Sequence, residues 1–458
     1  MSSREDDSAM RKTPKGTVGP SIEALIYQAQ KDGILPITSE CDMACTFCSN
    51  QYNPPACEIH TIGHRSLDDI RDSIPWLQAA PGPLVIGESV TRINEGEPLT
   101  HPDFREIMRM VRDSYPDRAI RVTTNGALLT PELIDILQAL DVELVVSLNT
   151  VGKRREIMGD RDPERTLANV RSLAGRLRFD GSIVALPFIT GWDDLRETTA
   201  LLRDSGASTI RLLLPGFSSR HPLFRKMPSE TWRKVKELSA GLAQDLRIPV
   251  LFEPPGITDV RPTVEHVLKG SPAEKAGILP GDAIVRVGGL ETFSRKDAFE
   301  TCWARENPPV TLERDGTQID VTLRKARREP PGIVMYEDLD REAYLNWERS
   351  SLVRKGKDVL VLTSSLAKPI IESALERRGL KAKVVAVKSL FFGGNIEAGG
   401  LLVVRDFLAA YRGAVSDGYA PVEVDLPRIA FDPWGRDLEG VHYRTFAEKT
   451  GLPLVLAG

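Results

Sequence analysis

The sequence predicts an α/β chain. A partial (β/α)6 TIM-type barrel is expected over residues 21–256, a small mostly-β domain over 257–327 and a C-terminal α/β domain over 328–458. Three observations predict this. Short apolar runs alternate with amphipathic helical segments from about residue 21 to 256. Proline–glycine breaks fall at Glu253-Pro254-Pro255-Gly256 and at Arg328-Glu329-Pro330-Pro331-Gly332, and between them strand texture dominates. Strands alternating with helices require right-handed crossovers and a parallel sheet, and about six such units suit a partial or closed barrel. Chemistry in such sheets sits at the C-terminal ends of the strands.

In chain order, residues 1–20 are polar and predict a disordered tail. Ser66 is placed to cap a helix carrying Leu67, Ile70, Ile74 and Leu77 at helical spacing. Leu84–Gly87 reads as a strand, Phe104 to Val111 as a helix and Ala119–Thr124 as a strand. Helix Leu133–Leu140, strand Leu144–Leu148, helix Thr166–Leu177 and strand Ile183–Phe188 follow. Helix Leu195–Leu202, strand Ile210–Leu214, helix Trp232–Leu242 and strand Val250–Phe252 complete the alternation. Farther on, Asp358–Leu362, Val384–Val387 and Leu401–Val404 are candidate strands.

A net charge of −4 offers no long-range attraction for phosphate backbones, so no nucleic acid is implied. No apolar run approaches the ~20 residues that span a bilayer, and the N-terminus lacks the apolar core of a signal peptide, so no membrane partner and a cytoplasmic setting are expected. Four of the five cysteines lie between positions 41 and 57, with Cys302 apart. That clustering favours metal over a disulfide framework.

Cys41, Cys45 and Cys48 place three thiolates within one short loop. A loop of this size suits one face of an iron–sulfur cubane, leaving one iron open for another ligand. The alternatives are a zinc site completed by Cys57 or His60, or three buried inert thiols.

Cys41-Asp-Met-Ala-Cys45-Thr-Phe47-Cys48 resembles the signature of the radical S-adenosylmethionine (SAM) superfamily, whose members have an aromatic residue before the last cysteine. Asn94-Glu95-Gly96-Glu97-Pro98-Leu99, with His101-Pro-Asp-Phe104 after it, resembles that family's GGEPLLHPDF segment, except that Glu95 replaces the first glycine. Thr123-Thr124-Asn125-Gly126 is similar to its turn after the third strand, and Val145-Val146-Ser147-Leu148-Asn149 to its fourth strand. The resemblance covers residues ~34–215. It implies a [4Fe–4S] cluster on Cys41, Cys45 and Cys48, and SAM held near Phe47, Glu95, Gly96, Glu97, Pro98, Thr124, Asn125, Ser147 and Asn149. It also implies an electron donor such as flavodoxin or ferredoxin, and reductive cleavage of SAM to a 5′-deoxyadenosyl radical. In the family, the Glu97 segment grips the methionine ammonium through carbonyl and carboxylate groups. Only Cys57 and Cys302 remain, too few for a second four-cysteine cluster. Cys57 is a candidate hydrogen-atom donor or a spare loop thiol.

The segment Pro215–Lys226, with Arg220 and His221, suits either a lid over an anionic substrate or a solvated basic loop. Gly270-Ser-Pro-Ala-Glu-Lys-Ala-Gly277, Pro280-Gly281-Asp282 and Val310–Gly316 resemble the PDZ fold, which accepts C-terminal peptides on a sheet edge beside a glycine-rich loop. No such loop is evident before Val264, which favours a docking role over capture of a peptide partner. Leu390–Asn395, Gly399–Leu402 and Arg405-Asp406 resemble a C-terminal domain of unknown function that accompanies radical SAM and PDZ-like modules in one bacterial family, where the PDZ segment often comes first. The Gly393-Gly394-Asn395 loop reads as a turn, with anion binding as the alternative. The leading functional expectation is an enzyme acting on a small molecule in specialised metabolism. A peptide- or protein-modifying enzyme and a non-enzymatic iron–sulfur or zinc scaffold are the alternatives.

Overall fold

The computed structural model describes residues 10–12, 18–49, 51–57, 59–79, 82–88 and 92–458. The chain divides into two compact units, Met1–Glu253 and Pro254–Gly458. Among the described residues no helix is long and apolar enough to cross a membrane.

The first unit is a six-stranded parallel sheet whose spatial order follows the sequence: β1 (Leu84–Ile86), β2 (Ile120–Thr124), β3 (Val142–Ser147), β4 (Phe179–Val184), β5 (Ile210–Leu213) and β6 (Val250–Glu253). β1 and β6 do not pair with each other, so the barrel is partial. Around it pack α1 (Ile22–Lys31), α2 (Leu67–Ser73), α3 (Phe104–Ser114), α4 (Pro131–Ala139), α5 (Arg154–Met158), α6 (Pro163–Arg171), α7 (Trp192–Asp204) and α8 (Thr231–Leu246). Ser66 caps α2 by accepting from the Asp69 N–H, as the sequence predicts. The core is one apolar cluster running from Leu35 through Ile86, Val122, Val146, Ile183 and Leu212 to Val250. Ahead of the cysteine loop, Ile34 bridges in parallel to Val85, which fixes where that loop leaves the sheet.

The expected strand Ile183–Phe188 starts and ends four residues earlier, at Phe179–Val184. Pro187, lacking an N–H, instead opens a short helical turn, Pro187–Thr190. Gly181 sits mid-strand because a Cβ there would come within 2.7 Å of Leu202 on α7. Most of the expected disordered tail, residues 1–9 and 13–17, lies outside the described residues, and Met10–Lys12 pairs antiparallel with Val18–Pro20.

The second unit begins with a short strand, β7 (His266–Val267), and an antiparallel sheet of β8 (Ala283–Val287), β9 (Leu290–Glu291), β10 (Pro309–Arg314) and β11 (Thr317–Thr322), with α9 (Arg295–Ala304). β12 (Ile333–Val334), from beyond the expected end of this domain at residue 327, pairs antiparallel with β7. Gly332 makes that approach feasible: its φ is +80° and a Cβ would fall 2.0 Å from the Ser271 Cβ. Then follow α10 (Arg341–Ser350), β13 (Val359–Ser364), α11 (Lys368–Arg377), β14 (Lys383–Val387), α12 (Val404–Ser416), β15 (Glu423–Pro427), α13 (Arg444–Thr450) and β16 (Leu454–Ala457). The four strands form a parallel sheet in the order β14-β13-β15-β16. The expected strand Leu401–Val404 is instead the entry to α12. Its first N–H groups find carboxylates, Val403 on Asp406 and Val404 on Asp437. Gly393 and Gly394 both have positive φ, and the neighbouring Leu390 and Phe391 N–H groups donate to Asp406. Those two N–H groups are therefore committed to Asp406, as suits a turn. Packing runs continuously through the unit, since Val260 and Phe293 share a core with Tyr344, Trp347, Val359 and Leu375.

Candidate functional site at the C-terminal strand ends

The cysteine loop lies over the C-terminal ends of β1 to β3, held by backbone hydrogen bonds. Ala44 N–H donates to Met158 C=O (2.7 Å) and Thr46 N–H to Ile157 C=O (2.8 Å), so the residues flanking Cys45 hang from the last turn of α5. Gly159 permits this contact, because a Cβ there would stand 3.1 Å from the Ala44 Cβ. On the other side Gly96 N–H donates to Thr38 C=O and Glu97 N–H to Glu40 C=O. A Cβ on Gly96 would come within 1.9 Å of the Glu40 carbonyl oxygen, so only glycine fits.

Cys41 is exposed and Cys45 and Cys48 are half-buried, which does not fit three buried inert thiols. Burial, together with the charges of Cys41 and Cys48, pushes the Cys45 thiol up to about 12, against the opposing charge of Arg154. Cys41 is also raised, by burial first and by Glu97, Asp42 and Cys48, with a Met43 backbone hydrogen bond opposing. Cys41 and Cys45, whose ionisation is opposed by burial and by their neighbours, are matched to a cationic centre, which replaces their protons. Among the described residues no three Cys, His, Asp or Glu side chains gather closely enough to hold a single metal ion.

Glu97 is the hub of the site. Its side chain is buried, and its carboxylate accepts from the Thr124 hydroxyl (2.7 Å), the Asn125 N–H (2.7 Å) and the Leu99 N–H (3.3 Å). Asn125 in turn donates from Nδ2 to Asp42 in the cysteine loop (2.7 Å). Three stretches far apart in sequence are joined through two side chains. Burial pushes the Glu97 carboxyl up to about 7, with the Asn125, Thr124 and Leu99 hydrogen bonds opposing and Asp42 adding to the rise. Pro98 opens the short turn Pro98–Thr100 beneath it. The carboxylate expected to face an ammonium group thus also ties the turn after β2 to the segment after β1.

The other expected SAM-binding residues fall on the same rim in different states. Ser147 ends β3, half-buried and level with Ser182 of β4. Asn149 is left-handed (φ +64°) and spends its side chain on the Val184 N–H (2.8 Å) and the Ser147 C=O (3.2 Å). Phe47 packs with Ile157, Leu186 and Phe217 in an apolar cluster beside the loop. Burial pushes the Glu95 carboxyl up to about 8, with the Gly87 backbone opposing and Glu88 contributing. Cys57 is buried; burial raises its thiol and the charge of Arg92 lowers it.

Arg220 and His221 stand in different surroundings. Arg220 is exposed, whereas His221 is buried and stacked on Phe217 (4.1 Å between centroids) with Tyr52 edge-on (4.8 Å). Burial lowers the His221 pKa, with an interaction with the Thr46 backbone carbonyl opposing. Ser218 Oγ donates to the Tyr52 C=O (2.6 Å). The segment after β5 thus packs on Tyr52 and Phe47, on and beside the cysteine loop, with Arg220 in solvent. The sequence reading missed Arg154, Asp160 and Asp42, because a charged residue gives no signal of its pairing until its partners are in place.

Residues 35–202 match the Radical SAM superfamily and residues 263–312 the PDZ domain. The chain is 29% identical over 175 residues to a GTP 3',8-cyclase of Klebsiella pneumoniae, covering 37% of this chain and 46% of that protein. A GTP 3',8-cyclase of Cronobacter sakazakii is 26% identical over 188 residues, 41% of this chain and 51% of that protein. The chain spans about half the length of the curated relatives it matches. Among solved structures, Streptococcus suis SuiB bound to precursor peptide SuiA aligns with 49% of this chain and 48% of its own, at 16% identity and a TM-score of 0.38. A domain of pyruvate-formate lyase-activating enzyme from Bacteroides vulgatus aligns over 37% of this chain and 98% of its own, at 16% identity and a TM-score of 0.29.

Proposed function

We propose that this chain, which carries a radical SAM domain followed by a PDZ domain, is an enzyme that cleaves SAM reductively and uses the product on a small-molecule substrate. The observation that carries the reading is the convergence of Cys41–Cys48, Glu97 and Thr124-Asn125 through the Asp42–Asn125–Glu97 chain. Cys41, Cys45 and Cys48 would hold a [4Fe–4S] cluster, with SAM against the Gly96–Pro98 segment and Ser147. When bound, these groups supply an electron and a scissile C–S bond. The protein's own part is positional. Backbone bonds from α5 fix the cysteine loop, Glu97 fixes the turn after β2 against it, and the Phe47–Phe217 cluster keeps water from one flank. The GTP cyclase relatives carry the name of an enzyme acting on a small anionic molecule, which supports a substrate of that kind. Exposed Arg220 is left as the candidate cation, without His221.

Anaerobic reconstitution followed by reductant and SAM tests the reading, with release of methionine and 5′-deoxyadenosine as the expected outcome. Iron-loaded protein that binds SAM but releases neither would favour the scaffold alternative.

A peptide substrate or partner is the second reading, favoured by the edge of β12. Leu268 N–H donates to Gly332 C=O (2.8 Å) and Glu265 N–H to Val334 C=O (2.9 Å), so Gly332 and Val334 face β7. By the alternation of an antiparallel pair, Ile333 and Met335 turn their backbone groups to the other side. Beside this edge lies the Pro331-Gly332 turn, which supplies after residue 327 the glycine loop absent before Val264. Saturable binding of peptides with free apolar C-termini, lost on amidation, would support this reading.

A further inference from the structure

Among the described residues, Arg154 is the largest side chain with essentially no solvent exposure. A guanidinium there carries a large desolvation penalty unless every donor direction is met. Its Nε donates to Asp160 (2.6 Å), Nη1 to the Leu148 C=O (2.5 Å) and Nη2 to the Asn125 C=O (3.3 Å). Those acceptors lie in the loop after α5, at the end of β3 and in the turn after β2. Arg154 also opens α5, whose last carbonyls receive the N–H groups on either side of Cys45. Asp160 is equally buried and stays below the ordinary carboxylate range: burial raises it, but the Arg154 hydrogen bond and charge outweigh that, helped by the Asp162 N–H and Thr166.

We infer that Arg154 is a positioning residue that sets a fixed positive charge behind the cysteine loop, and that Asp160 trims that charge, so the pair tunes how readily a cluster on this loop accepts an electron. The inference rests on the cluster reading above. A purely structural clamp would need shape and hydrogen bonds at this point, but not charged groups. In a water-poor environment charges act at longer reach than at the surface, and cluster potentials follow nearby charge and hydrogen bonding.

The test is the midpoint potential of the reconstituted full-length protein, followed by electron paramagnetic resonance. Arg154→Gln, which removes a positive charge, should move the potential negative. Asp160→Asn, which removes a negative one, should move it positive. Arg154→Lys, which keeps the charge but loses the fork, should stay near the parent potential while lowering the melting temperature of the iron-free protein. Shifts of the same sign in the Gln and Asn variants, or no shift in either, would overturn the inference. If Arg154→Gln does not fold, the other two decide: a positive shift for Asp160→Asn with a parent-like Arg154→Lys supports it, and any other pair of results overturns it. Failure of the unmutated protein to take up iron would instead sink the cluster reading itself.

Discussion

Replacing Glu97 with alanine separates two roles for this residue, a ligand for SAM and a tie inside the protein. The carboxylate takes hydrogen bonds from Thr124 Oγ and Asn125 N at 2.7 Å each, and a longer one from Leu99 N at 3.3 Å. Removing it leaves at least two buried donors unmet, at about 1–3 kcal/mol each, hence ~2–6 kcal/mol. For a unit of this size a kilocalorie moves the melting temperature by roughly 2–4 °C, so a fall of roughly 4–24 °C is expected. The loss should depend on pH. Burial raises the Glu97 carboxyl to about 7 in the folded state, above its ordinary value of 4.5. Its stabilising contribution is therefore full below about 4.5 and declines as pH rises through about 7, so the alanine variant should lose more at pH 5.5 than at pH 8. The assay is thermal unfolding of the iron-free protein by circular dichroism at both pH values, alongside SAM affinity after reconstitution. An iron-free variant that melts with the parent, yet binds SAM tenfold more weakly when loaded, would refute the tie and leave the ligand role alone.

Reconstitution under anaerobic conditions should give about four irons per chain by colorimetric assay, abolished by Cys48→Ala and preserved by Cys57→Ser. Gly96→Ala should fold poorly or load little iron, because its Cβ would meet the Glu40 carbonyl oxygen at 1.9 Å; parent-like loading would show that the two segments can separate. In the second unit, Asp425 is fully buried and accepts from Trp347 Nε1 at 2.7 Å, and burial pushes its carboxyl up to about 7 from 3.8, with Glu423 adding and the Ser351 and Trp347 bonds opposing. Because the folded value is the higher one, stability from this group is lost as pH rises from about 4 through 7. Asp425→Asn should therefore raise the urea midpoint more at pH 8 than at pH 5.

The alternation of runs and helices, the Ser66 cap, the cysteine spacing and the placing of each motif at a strand end were all legible in the sequence. They are local properties, set by periodicity, capping and loop length over a few residues. Even there, the Phe179–Val184 strand was misplaced because Gly181 answers to Leu202, a neighbour on another element. What each polar side chain does was decided by tertiary structure alone. Glu97 meets Thr124 and Asn125, Asn125 meets Asp42, and Arg154 meets Asn125, Leu148 and Asp160. Most of these partners are tens of residues apart, and no spacing rule brings them together. His221 shows the same limit from the other side: a histidine beside an arginine reads as a basic patch, yet one ring is buried on Phe217 and the other side chain is in solvent. Likewise β12 completes an edge with β7 across the whole PDZ segment. A sequence carries the period and the end of each element, while the desolvation and pairing of its charged and hydrogen-bonding groups exist only once distant segments have packed together.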